Sequence, residues 1–136
     1  MSWHSRVVVA ILFAGTISMF TDWLFMGILF HKRYSRYPEV WWPGLRDKTA
    51  DTRAVMISSA LGYLTALGVV ALCIHAAATT FPRALLVAFL AWLAGPLVMQ
   101  VTNSFWIKTD PLTTAAHCAG WLVRFLIAAL VVCFLI

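Results

Sequence analysis

Charge is scarce in this chain. Ten basic and five acidic residues make up 11% of its 136 positions, where a soluble domain carries about a quarter. With 62% hydrophobic residues and a mean hydropathy of +0.89, that shortage excludes a water-soluble globular domain. Cysteine is scarce too. Cys73, Cys118 and Cys133 form no CxxC pair and no metal-ligand spacing. All three lie in apolar windows, where a thiol packs as a small hydrophobe. His4, His31, His75 and His117 are scattered, with no HxxxH or ExxH pair, so neither a metal nor another cofactor is expected. No Ser-His-Asp or Walker-like pattern is present. The net charge of +5 is concentrated in one loop. Membrane orientation accounts for that placement, and no nucleic-acid partner is expected.

What the chain does have is four long apolar runs. A spanning helix needs about 20 such residues. The runs place spans at about 7–30, 54–77, 82–106 and 112–136, within a single transmembrane domain covering residues 1–136. The first run is too long for a signal-peptide core and no A-x-A-like cleavage site follows it, so it reads as a retained span. The windows are too long for barrel strands and lack period-2 alternation. In lipid the remaining solution is helical, because only helices and closed barrels satisfy their own backbone groups. The expected fold is therefore an all-α, integral membrane four-helix up-down bundle. Pro96 lies inside the third run and should interrupt it.

The loop at 31–53 holds Lys32, Arg33, Arg36, Arg46, Lys48 and Arg53, and Lys108 lies in the loop between the last two spans. The opposite face has only Arg6 and Arg83. This asymmetry places the basic loops in the cytoplasm and both termini on the non-cytoplasmic side. Tyr34, Tyr37, Trp41, Trp42 and Pro43 share the first loop with those cations, a composition suited to the lipid headgroup level.

The spans also resemble one another. Thr21-Asp22 in the first matches Thr102-Asn103 in the third. Ser58-x-x-x-Gly62-Tyr63-Leu64-x-Ala66 in the second matches Ala116-x-x-x-Gly120-Trp121-Leu122-x-Arg124 in the fourth. The pattern reads as two tandem helical hairpins related by a pseudo-two-fold along the membrane normal. Asp22 and Arg124 each break that symmetry once.

Arg124 is the costliest residue in the chain. A cation at the centre of a span costs roughly 2.5–3.5 kcal/mol on insertion scales, so it normally faces protein or water and has a partner. Asp22 is the available carboxylate. At 1.5 Å of rise per residue, Asp22 lies about 12 Å, Arg124 about 18 Å and His117 about 7 Å from the basic end. Gln100 and Asn103 share a face of the third span, and Tyr63 comes from the second. The expected site is a polar pocket open to the cytoplasm and lined by Asp22, Tyr63, Gln100, Asn103, His117 and Arg124. The outer half of the bundle is almost purely apolar, which argues against a continuous pore.

The stretch Gly95-Pro96, Thr102-Asn103-Ser104-Phe105-Trp106-Ile107-Lys108, Pro111 and His117-Cys118-Ala119-Gly120-Trp121-Leu122-Val123-Arg124 resembles a bacterial family. So does Phe20-Thr21-Asp22-Trp23-Leu24-Phe25-Met26-Gly27 with Leu29-Phe30. It is a domain-of-unknown-function family of small four-span inner-membrane proteins. The resemblance implies a bacterial inner-membrane location and a four-helix fold, and it supplies no activity.

The expected function is binding or transport of a small anionic or carbonyl-bearing molecule, with membrane lipids as surroundings and a homodimer as the expected assembly. One alternative is an isomerase-like acid–base enzyme acting on a lipophilic substrate, with Asp22 or His117 as base and Arg124 steadying an oxyanion. The other is an accessory or assembly subunit of a membrane complex.

Overall fold

The structure, a computed structural model, describes residues 1–34, 36–40 and 48–136. Trp41, Trp42, Pro43 and Arg46, assigned from sequence to the headgroup-level loop, lie outside the described residues. Among the described residues there is no strand. Four helical stretches are long and apolar enough to cross a membrane: Trp3–Leu29, Thr52–His75, Phe81–Trp106 and Pro111–Leu135. The protein is thus a multi-pass, all-α membrane bundle, as its apolar runs require.

Helix α1 (Trp3–Asp22) continues through a π-helical turn, Trp23–Leu29. A short helix α2 (His31–Tyr34) and a 3-10 turn (Pro38–Val40) follow in the first loop. Helix α3 runs Lys48–His75. The third span is α4 (Phe81–Trp92), a π turn (Leu93–Leu97) and α5 (Val98–Trp106). Helix α6 (Pro111–Leu135) closes the bundle.

Local chemistry sets the helix ends. The first span starts a turn earlier than its apolar run because Ser2 caps it, its Oγ accepting from the Ser5 N–H at 3.2 Å. The second stops at His75, short of the expected Ala77. There the Ala78 N–H bonds the Cys73 carbonyl at 2.8 Å and the Ala77 N–H bonds the Ile74 carbonyl at 3.0 Å. These are the two bonds of a Schellman stop, with Ala77 at φ 49° in the position usually given to glycine.

Lipid offers no hydrophobic gain for bringing helices together, so close fit decides their packing. The core is accordingly made of small side chains. Ala10, Ala14 and Ser18 form a buried stripe on α1, and Ala84 and Ala88 another on α4. They meet α6 along Phe125, Ala128, Ala129 and Val132, while Ala66, Val69, Val70 and Cys73 of α3 complete the cluster. Helix α6 touches α1, α3 and α4, and α1 also packs along α3. At that second contact a Cβ on Gly15 would fall on the Tyr63 ring. Thr16 Oγ1 donates to the Leu12 carbonyl at 2.8 Å, so the Tyr63 phenol, 3.0 Å away, must donate to Thr16.

The interruption expected at Pro96 takes the form of the π turn. Proline has no N–H, so a carbonyl one turn earlier loses its partner, and the chain shifts hydrogen-bond register there. Before the turn, α4 packs closely on α6. After it, α5 has no buried residue and meets α6 sparsely. The Trp92 indole, at the end of α4, donates to the Cys118 carbonyl at 2.8 Å. That bond joins the two helices where they begin to part.

Ala77→Gly should relieve the left-handed backbone of a residue with a Cβ. The expected gain is about 1 kcal/mol, read as a raised melting temperature in detergent. A lowered melting temperature would mean that Ala77 is not at the helix stop.

Candidate functional site

The parting of α5 from α6 leaves a cavity of about 370 Å³ at the basic end of the bundle. Gln100, Asn103 and Ser104 line it from α5, and Thr113, Thr114 and His117 from α6. Ile107, Lys108, Thr109 and Asp110, between the two helices, form a third side, and Arg33, Tyr37 and Val40 reach in from the first loop. Three of the six residues expected from sequence are therefore brought together: Gln100, Asn103 and His117. The hydroxyls of Thr113 and Thr114 were not foreseen. Their signal was available, since Thr113 lies one turn before His117 on the same face of α6. Thr113 is 7% exposed, and its Oγ1 is buried with no hydrogen-bond partner among the described residues.

Asp110 fastens the first loop over this cavity. It is the N-cap of α6, its Oδ1 accepting from the Leu112 N–H at 2.9 Å, and Pro111 follows at the first helical position. Its Oδ2 accepts from Arg36 at 2.6 Å, and Arg33 stands 3.7 Å away. The carboxylate is 3% exposed. The Arg36 hydrogen bond holds Asp110 below the usual carboxylate range against the opposing effect of burial, with the Leu112 N–H and the charges of Arg36 and Arg33 adding to it. Lys108 makes a second fastening, 3.1 Å from Glu39 and 4.8 Å from the centre of the Tyr37 ring. In the sequence these cations reported only on orientation. In the fold they carry the loop onto the site.

The other three expected residues lie elsewhere. Tyr63 fills the α1–α3 contact over Gly15. Asp22 and Arg124 form the ion pair expected of them, with side chains 23% and 14% exposed, but neither lines the cavity. The guanidinium also lies 4.7 Å over the Trp121 ring one turn back, a cation–π contact. Asp22 is the last residue of α1 before its π turn, and Gly120 of α6 faces Phe25 and Met26 of that turn. The pair thus fixes how the end of the first span lies on α6. Among the described residues, no group of three or more His, Cys, Asp or Glu is placed to hold a metal.

Two outcomes follow from these contacts. Arg124→Met strands the Asp22 carboxylate and should cost about 3–5 kcal/mol, most of it recovered when Asp22→Asn is added. Thermal unfolding of the single and double variants reads this, and a double variant no more stable than the single would refute the pairing role. Asp110 has a folded pKa below its unfolded value, so its contribution is complete above about pH 3.9 and disappears as pH falls through the lower folded value. Asp110→Asn, which keeps a capping oxygen, should flatten that acid dependence and expose Arg33 and Arg36 to trypsin. An unchanged acid profile with unchanged cleavage would show that Asp110 does not hold the loop.

A family model described as a protein of unknown function, DUF1761, matches residues 9–133, from the first span to the fourth. No curated protein and no solved structure matches the chain. The match includes both stretches on which the resemblance in sequence rested, with Asp22, Asn103, His117 and Arg124 among them, and this chain belongs to the DUF1761 family.

Proposed function

We propose that the protein binds a small anionic or carbonyl-bearing molecule between α5 and α6 at the basic end of the bundle. The observation that carries this reading is the cavity itself. Its volume of about 370 Å³ falls in the range of small-molecule sites, about 300–1,000 Å³. Amides and hydroxyls line its helical walls, and Arg33 and Lys108 stand at its loop side. In this reading the protein sits in a bacterial inner membrane with that end in the cytoplasm, as seven basic loop residues against two favour.

The opposite half of the bundle favours binding over conduction. Ala10, Ala14, Val70, Cys73, Ala128, Ala129 and Val132 are closed against one another there, with at most 1% exposure. A solute would meet an apolar plug beyond the cavity. Transport would require the third span to move at its π turn. The acid–base alternative has less support. Asp22 and Arg124 are engaged with each other away from the cavity, which leaves His117 as the one catalytic candidate facing it.

The test is a thermal-shift and calorimetric screen of the detergent-purified chain against small carboxylates and phosphate esters. At least one should raise the melting temperature. Asn103→Ala and Lys108→Ala should each weaken that ligand roughly tenfold, the loss of a charge-assisted or polar contact. Ser58→Ala, on the exposed face of α3, should leave it unchanged. A hit indifferent to Asn103 and Lys108, or no binding of these anions either free or lipid-borne, would overturn the proposal.

A further inference from the structure

We infer that the occupant of the cavity is the phosphodiester headgroup of an anionic phospholipid, entering sideways from the bilayer between α5 and α6. This rests on the binding reading above and names the ligand class for the same site.

The route of entry is the first argument. The aqueous side is roofed by Arg33, Tyr37 and Val40, and that roof is fastened twice, by Arg36 to Asp110 and by Lys108 to Glu39. The membrane side is the gap between two spans. Helix α5 buries none of its residues, and Asn103 is exposed although it belongs to a spanning segment. Around the gap the chain presents Phe105 and Trp106, 81% and 85% exposed, with Ile107 and Leu112 beside them. An apolar lip around a polar recess suits a molecule with a charged head and acyl tails. Aromatic residues at such a boundary sit at the headgroup level.

The second argument is the unfilled hydrogen-bonding capacity inside. A buried hydroxyl without a partner is costly, and Thr113 Oγ1 is one. Thr113 also lines the cavity, and a turn of its side chain would bring that buried hydroxyl out to a phosphate oxygen there. The amides of Gln100 and Asn103 supply further donors. Of the two arginines near Asp110, Arg36 is bonded at 2.6 Å while Arg33 stands at 3.7 Å. Arg33 lines the cavity and is the cation less committed to that carboxylate. The N-terminus of α6 is already capped by the Asp110 carboxylate, so the attraction for an anion comes from Arg33 and Lys108 at the cavity wall. The volume suits a headgroup and leaves the acyl chains outside, on the exposed apolar face of α5.

The experiment uses the full chain, purified in detergent, stripped of lipid and examined by native mass spectrometry. Phosphatidylglycerol, phosphatidylcholine and water-soluble glycerol phosphate are offered in turn. One phosphatidylglycerol should stay bound per chain under activation that removes phosphatidylcholine. Thr113→Val, which keeps the shape and removes the hydroxyl, and Arg33→Gln, which lies outside the spans, should each lower its retention roughly tenfold. Ser58→Ala should not. Two variants on different elements keep the test decisive if one fails to fold. Equal retention of both lipids, or indifference to Thr113 and Arg33, overturns the inference. Glycerol phosphate bound as tightly as phosphatidylglycerol overturns the lipid and leaves the binding site standing. Binding of none of the three overturns the lipid, and the broader reading falls with it if the carboxylate screen is also empty.

Discussion

The contact of α6 with its neighbours governs the rest of this bundle. Helices in lipid gain nothing from simply hiding apolar surface, since the surroundings are as apolar as they are. They hold together where side chains are small enough for close fit. Alanine stripes on α1 and α4 meet the alanines of α6 over one half of its length. In the other half, beyond the π turn at Pro96, α5 offers no buried residue to α6. The bundle is closed at one end and parted at the other, and the cavity is the space of that parting.

The polar groups sort according to the same geometry. Where helices are tightly packed, a polar side chain must find its partner on a neighbouring helix. Asp22 meets Arg124, Tyr63 meets Thr16, and Trp92 meets the Cys118 carbonyl. Where α5 and α6 part, Gln100, Asn103, Thr113 and His117 face a common space. The first population joins neighbouring helices, and the second lines the cavity. A single chain suffices to form the cavity, although four helices enclose little volume by themselves.

The described part of the first loop is tied to the start of α6. Asp110 caps α6, binds Arg36 and attracts Arg33, so helix start and loop position depend on one carboxylate. A ligand anion near Arg33 would compete with Asp110 for it. Occupancy of the cavity and fastening of the loop are therefore linked through a shared cation, in the reading proposed here.

Much of this was legible in the residues. Four apolar runs of spanning length can only be helices in lipid, because backbone groups there must bond within their own segment. The break at Pro96 follows from a missing N–H, and the pairing of Arg124 with Asp22 from the cost of an isolated charge. The grouping of Gln100, Asn103 and His117 followed from their common depth near one end. Depth along a helix can be counted from sequence, but the angular position of one helix against another cannot. That is why Tyr63 and the Asp22–Arg124 pair were expected at the cavity and stand apart from it. It is also why Arg33, Lys108 and Thr113 are seen to line the cavity only in the fold. The chain by itself determined what spans the membrane and which polar groups had to be matched. Tertiary packing decided which of them are spent on each other and which are left facing open space, because close fit between helices depends on shape that no one-dimensional pattern records.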